Sequence, residues 1–370
     1  MNWWALPGPR SFVDTVIQDV RDGKSVFISL PEHCPGRLSS CLKEALQEDF
    51  RWLALNVDPE TDPLEYLYDF CAPDADRRRL RSIQSLTSER SFQGQVIWLQ
   101  DLCSTDWGTW SRFFIEYERI SRAVSVSRRT YFVIPLVGAA CACDIPQGVG
   151  IASRKWDGWL RRGDMLLYSA SSSKDQEFTV EGELTAALVT TLAGWDPGLC
   201  EWLAQLNLQQ LLTPKNALQE FAENRGWDLK DEVNVERAWT LGLWQTFHAK
   251  TTPHTCVAAL TNGSGVLDQL IWKAEIGVLM PYIEEQRQGI IQQYRSHFQL
   301  PFTTKSGEEI NNIYDLEIGL IEYQLSRCSS VTFKERKRIS DLKDARNALS
   351  HLEPVDPALL LTICASEAGR

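Results

Sequence analysis

What this chain can fold into is constrained most by four short apolar runs, at residues 25–30, 52–57, 96–102 and 131–136, set apart by stretches of helical periodicity. Each run is rich in Val, Ile, Leu or aromatic residues and too short for a helix, so each predicts a buried strand. Before and between them the apolar positions follow a helical period, as in Phe12, Val13, Val16, Ile17 and Val20, and again over 107–123. Strands joined through helices do not pair as hairpins. They form a largely parallel sheet covered on both faces. The expected fold class is therefore α/β for the first part of the chain, with all-α structure after it.

The turn after the first strand tests for phosphate chemistry. It reads Pro31-Glu32-His33-Cys34-Pro35-Gly36-Arg37-Leu38-Ser39 and leads into a helix. Laid on the G-x-x-x-x-G-K-[ST] pattern it keeps only Gly36; Pro31 replaces the first glycine, Arg37 the lysine and Leu38 the magnesium-binding hydroxyl. Proline has no N–H, so a backbone cradle loses donors at Pro31 and Pro35. Gly23-Lys24-Ser25 looks like the tail of such a loop but precedes its strand. Residues 96–101 resemble a Walker-B strand ending in Asp101, with Leu102 where a catalytic Glu would stand. Over roughly the first 170 residues the chain thus resembles an AAA- or STAND-type ATPase core whose chemistry has decayed. The resemblance implies a P-loop-like domain without a working Walker A, no ATP hydrolysis and no cofactor.

Composition bounds the remaining classes. Of 370 residues, 44% are hydrophobic and 24% charged, as in a soluble globular protein, and the length suits two or more domains. The net charge of −11 opposes broad binding to nucleic-acid backbone but leaves room for a local basic site. Ten scattered Cys predict reduced thiols in a cytoplasm. Cys141 and Cys143 form a close pair without a neighbouring His, a poor zinc site, so no metal is expected. No secretory or membrane-spanning segment is read from the sequence. The 14 Trp point to large buried aromatic surfaces or to an interaction face. Arg77-Arg78-Arg79-Leu80-Arg81 is the densest basic run, a solvated face or a contact for RNA or a partner.

Three domains are expected: an α/β domain over 1–175, a helical lid or winged-helix-like region over 176–262, and a helical domain over 266–370. Thr261-Asn262-Gly263-Ser264-Gly265 is the clearest linker. In the last domain 267–297, 310–325, 332–351 and a helix opening at Asp356-Pro357 predict an up-and-down bundle, with Pro281 a kink in the first. Thr332 and Glu335 predict a capping box for the third helix, and Ile339, Leu342, Ala345 and Leu349 its apolar stripe.

That third helix ends in Arg346-Asn347-Ala348-Leu349-Ser350-His351. Asn347 and His351 share a face, with Arg346 about 140° round from His351. A histidine titrates near neutrality and serves as acid or base, and an arginine offers a fixed fork of donors to a phosphate. Those are the parts that RNA cleavage without a metal needs. A C-terminal helical bundle with R-N-x-x-x-H late in its third helix resembles the HEPN superfamily, over residues 266–370. The resemblance implies a metal-independent ribonuclease site at Arg346, Asn347 and His351, and a homodimer in which two such helices make one composite site. Lys334, Arg336, Lys337, Arg338 and Lys343 place positive charge on the same helix, either to guide RNA or to solvate the surface. Family members of this kind act in bacterial antiphage and toxin–antitoxin systems, which implies a protein partner, an antitoxin or another defence subunit. The alternative is a non-catalytic HEPN scaffold that dimerises and binds such a partner.

Overall fold

The computed structural model describes residues 2–57, 61–72, 81–172, 179–228, 235–261, 263–304 and 307–368. The chain divides into two units, Met1–Asp164 with Asp231–His254, and Met165–Lys230 with Thr255–Arg370.

In the sheet unit the four expected strands form as β1 (Ser25–Leu30), β2 (Arg51–Asn56), β3 (Gln95–Gln100) and β4 (Tyr131–Val137), joined by β5 (Ile151–Lys155). Their order is β2-β3-β4-β1-β5, with every neighbouring pair parallel. Helices α1 (Pro7–Arg21), α2 (Leu38–Leu46), α3 (Pro63–Cys71), α4 (Ile83–Ser88) and α5 (Trp107–Ser121) precede or connect the strands. Every side chain of β1 is buried, as an inner strand covered on both faces requires. On one face Phe27, Ile97, Phe132 and Ile134 meet Trp110, Phe113 and Phe114 of α5, with Phe27 edge-on to Phe114 at 5.2 Å. On α1, Phe12 and Val16 are wholly buried, and the rings of Trp4 and Phe12 each lie 5.1 Å from Trp156. Pro135 sits within β4, opposite Ile28 of β1, but the pairing of β4 with β3 runs only through Tyr131–Val133, so its missing N–H breaks no ladder there. Eight of the 14 Trp are buried (3, 4, 98, 107, 110, 156, 227 and 239), so the heavy Trp load goes largely into cores.

The chain then continues through α6 (Arg162–Ser172), α7 (Val180–Ala193), α8 (Pro197–Leu203), α9 (Leu208–Leu212) and α10 (Lys215–Asn224). It returns to the sheet unit for α11 (Val235–Thr240) and a hairpin of β6 (Trp244–Phe247) with β7 (Lys250–Pro253). The helical unit is completed by α12 (Thr255–Leu260), α13 (Ser264–Gln293), the short pair β8 (Phe302–Thr303) and β9 (Glu309–Ile310), α14 (Ile318–Leu325), α15 (Phe333–Ser350) and α16 (Pro357–Ala368).

This arrangement differs from the expected three domains. The middle region is not a separate lid: α7 lies along α13, and α16 packs on both α7 and α9. The reason is that α7 is apolar nearly all round, with Leu184, Leu188, Val189 and Leu192 buried, and such a helix belongs inside a core. Nor does 261–265 act as a domain linker, since Gly263 caps α13 directly after α12 and lies against the Ala258 backbone; Asn262 is outside the described residues. The helix expected over 310–325 is confined to Ile318–Leu325, because Ile310 pairs in β9 and the Asn312 side chain caps a short 3-10 turn at Ile313–Asp315. Of the basic run, residues 77–80 lie outside the described residues; Arg81 pairs with Asp69 at 3.0 Å and with Glu65, and lies over the Tyr68 ring. Among the described residues no helix is long and apolar enough to cross a membrane.

Candidate functional site

Helix α15 begins where Thr332 Oγ1 accepts the Glu335 N–H at 3.2 Å. The return half of the expected capping box does not form, because the Glu335 carboxylate turns to Arg338 at 2.7 Å. Ile339, Leu342, Ala345 and Leu349 are buried as the stripe requires. Beside them α15 is bound to α14 by Lys343–Glu322 at 2.9 Å and to α13 by Arg338–Gln286.

At its far end the helix closes with a Schellman pair: the Leu352 N–H reaches the Leu349 carbonyl and the Glu353 N–H reaches that of Ala348. His351 is the C-cap and Leu352 takes the left-handed position at φ 63°, where glycine is usual. The His351 imidazole is exposed and has no hydrogen bond or ion pair among the described residues. The Asn347 side chain, one turn earlier, is also exposed, while its carbonyl accepts the His351 N–H. Of the carboxylates near Arg346, Asp341 is held by Lys337 and Asp344 by Lys343, so the Arg346 Nη2 meets Glu317 at 3.2 Å instead. That side chain stays 34% exposed and Glu317 is 65% exposed, so the pair is weak and the guanidinium remains within reach of solvent. A base, an amide and a cation therefore stand on the last two turns of one helix.

The five basic residues expected to guide RNA are used unevenly. Arg336 donates to the carbonyls of Ser326, Cys328 and Val331 and so ties down the turn before α15. Arg338 and Lys343 are held between helices as described, and Lys337 pairs with Asp341 while keeping 62% exposure. Lys334 alone of the five is exposed with no pairing among the described residues.

Sequence reasoning passed over the support of this helix end, which comes from α13. The Trp272 indole N–H donates to the Leu349 carbonyl at 2.9 Å, and Glu275 Oε2 accepts the Val355 N–H at 2.8 Å. Glu275 is fully buried, and burial pushes its carboxyl up to about 7 despite that N–H. The signal was present: Glu275 stands between Ile271 and Leu279 on a buried helical stripe, where an acid is out of place.

A second concavity, of about 720 Å³, lies at the carboxyl ends of β1, β3 and β4, lined by the 31–39 loop, by 100–104 and by 135–140. Its place is that of ligands in open parallel sheets, beside β1 where the strand order turns back. Three of its residues other than glycine, His33, Arg37 and Asp101, have left-handed backbone at φ 60°, 71° and 63°. The loop itself is a poor phosphate cradle. Pro31 and Pro35 have no N–H, the Glu32 N–H goes to the Thr240 carbonyl at 2.7 Å, and the Cys34 N–H goes to that of Pro31. The Trp4 indole holds the Gly36 carbonyl at 2.7 Å. The side chains of Arg37 and Asp101 make no hydrogen bond or ion pair among the described residues, and both residues are exposed. Nearby, Cys141 lies against the Leu30 and Leu136 carbonyls, and burial pushes its thiol up to about 11.

Neither protein-family models nor curated proteins give a match to this chain.

Proposed function

We propose that the helical unit is a metal-independent endoribonuclease of HEPN type, active as a homodimer, and that the sheet unit is a degenerate P-loop-like domain that restrains or triggers it. The observation that carries the reading is the exposed, unpartnered His351 imidazole at the end of α15, with Asn347 and the partly open Arg346 guanidinium on the same two turns. In such a site His351 takes the proton of a ribose 2′-hydroxyl, and the freed oxygen attacks the adjacent phosphorus. Arg346 neutralises the charge that builds on the phosphate oxygens, with Glu317 giving way to the substrate. The 5′-oxygen leaves and takes a proton from the imidazolium of the second copy, which leaves a cyclic phosphate and a free 5′-hydroxyl. Asn347 orients the imidazole or binds a phosphate oxygen. RNA reaches the site as the exposed cation Lys334 and the outward Lys337 allow, on a body that otherwise repels it. A cytoplasmic bacterial setting, in antiphage defence or a toxin–antitoxin pair, with a protein partner that controls the site, follows from the family analogy.

A second reading is favoured by a separate observation. Arg336 is occupied in tying the turn before α15, Arg338 and Lys343 in holding helices together, and Arg346 has a carboxylate partner, as in a non-catalytic scaffold that dimerises and binds a defence subunit. Expression of the wild type beside His351→Ala and Arg346→Ala, scored for growth arrest and for RNA integrity, separates the two. Loss of cleavage in both variants supports the enzyme; identical RNA in all three supports the scaffold.

A further inference from the structure

Glu275 is 0% exposed and lies in the middle of α13, yet among the described residues no cation acts on it. One carboxyl oxygen accepts the Val355 N–H at 2.8 Å, and the other, Oε1, has no hydrogen-bond partner. A buried acid with one orphan oxygen needs a reason. The helices packed on α13 are α7, α12 and α15, and they supply none; α12 brings only the buried Cys256, which does not act on Glu275. The buried residues of α7 are Val180, Leu184, Leu188, Val189, Thr190, Leu192 and Ala193, without a titratable group. On α15 the buried titratable group is Asp341, tied to Lys337; on α14 Glu322 is tied to Lys343; and α16 contributes Cys364. None of these charges shifts Glu275, whose proton is governed by burial first and by the Val355 N–H second.

What Glu275 holds is more telling than what surrounds it. Val355 is four residues past His351, at the end of the turn that leaves α15, and is itself buried. On the other side of His351, two residues before it, the Leu349 carbonyl is held by Trp272, one helical turn before Glu275 on α13. The imidazole therefore stands on a short arch fastened at both ends to α13. The arch carries strain of its own, because Leu352 is left-handed at φ 63° and 69% exposed.

We infer that Glu275 is a positioning residue for His351: its carboxyl fastens the turn that follows the imidazole, and gain or loss of its proton closes or releases that turn. The inference names a control of the site proposed above and takes its functional meaning from that reading, but its test does not depend on it. With the proton on, the neutral acid tolerates burial and the turn is closed. With the proton lost to solvent, a charge is left without a counter-ion, and the cheapest relief is to let residues 352–355 swing out so that water reaches the carboxylate. The direction follows from linkage. The open form ionises as an ordinary glutamate, the closed form only near neutrality, so opening becomes easier as pH rises through that interval.

The experiment is hydrogen–deuterium exchange on the full chain, read at peptides covering 352–356 and, as internal reference, 184–192 in α7. Corrected for intrinsic exchange, protection of 352–356 in the wild type falls about tenfold between about pH 6 and pH 8, while the α7 reference holds. Glu275→Gln, which keeps the acceptor and cannot ionise, holds 352–356 flat, and in an RNA-cleavage assay it loses the alkaline decline that the wild type shows. Flat protection in the wild type, or the same decline in both proteins, overturns the inference. If the Gln variant does not fold, the wild-type contrast between the two peptides decides alone. Should His351→Ala still cleave RNA while 352–356 responds as stated, the ribonuclease reading falls and the clamp stands. The converse, with cleavage lost and protection flat, removes the clamp and keeps the enzyme.

Discussion

Two buried acids, one in each unit, are treated in opposite ways, Asp19 with cations around it and Glu275 without, unlike the cation-paired Asp196 and Asp341 of the helical unit. In the sheet unit Asp19 on α1 is closed off: Arg154 of β5 meets it with a two-pronged contact at 2.6 and 3.0 Å, and Lys24 adds a third at 3.1 Å. Burial alone would raise its carboxyl, but those cations outweigh burial and hold it below the usual range. In the helical unit Glu275 is buried more deeply, has a single backbone donor and, among the described residues, no cation, and is raised instead. The difference sets Glu275 apart from the buried acids Asp19, Asp196 and Asp341, each of which has a cation. Asp19 fastens a helix to an edge strand and serves the fold. Glu275 is left incomplete beside the turn that carries His351, and buried groups with displaced titration gather at sites that do something.

The largest effect expected from this contrast is on stability of the sheet unit. Asp19→Ala leaves Arg154 and Lys24 facing an empty place and costs about 3–5 kcal/mol in urea unfolding, toward the lower end because both cations reach water. The cost is present at neutral pH and shrinks only as pH falls through the native Asp19 titration, below the ordinary carboxylate range, where the wild type loses its own advantage. Glu275 behaves with the reverse sign. Native Glu275 keeps its proton up to about 7, so the wild type loses as much as about 3 kcal/mol between the ordinary glutamate range and neutrality. Glu275→Gln removes that slope, which urea unfolding at about pH 4 and pH 8 detects; a parallel slope in the two proteins would break the comparison. Leu352→Gly relieves the left-handed turn and raises stability by about 1 kcal/mol, measured the same way. Smallest is Glu317→Gln, which frees Arg346 from an exposed pair, changes stability by less than about 0.5 kcal/mol, and raises rather than lowers RNA affinity in a filter-binding titration.

The strands were readable where the chain is buried on both sides. The runs at β1, β3 and β4 are continuous apolar segments, and the sheet leaves them no other place. β5 was not readable, because Ser153, Arg154 and Lys155 make it polar; only Asp19, far away in sequence, explains why an arginine belongs there. The β6–β7 hairpin hid for a different reason. Its turn is His248-Ala249, both at positive φ, where sequence signals lead one to expect Asn or Gly. Helix α7 could be seen as a helix but not as a partner of α13, since an all-round apolar helix does not say what covers it. The R-N-x-x-x-H spacing marked Arg346, Asn347 and His351, whereas the fate of the lysines and arginines depended on carboxylates and carbonyls from α13, α14 and the preceding turn.

The central claim is that the exposed end of α15 carries out chemistry on RNA. The measurement that tests it most directly is cleavage of a uniformly labelled RNA by the purified full chain, in the presence of a metal chelator, beside His351→Ala. A functioning general base predicts that the variant is slower by about 10²–10⁴-fold, with unchanged folding and cyclic-phosphate ends on the wild-type products. Equal cleavage by both proteins, or none by either, contradicts it.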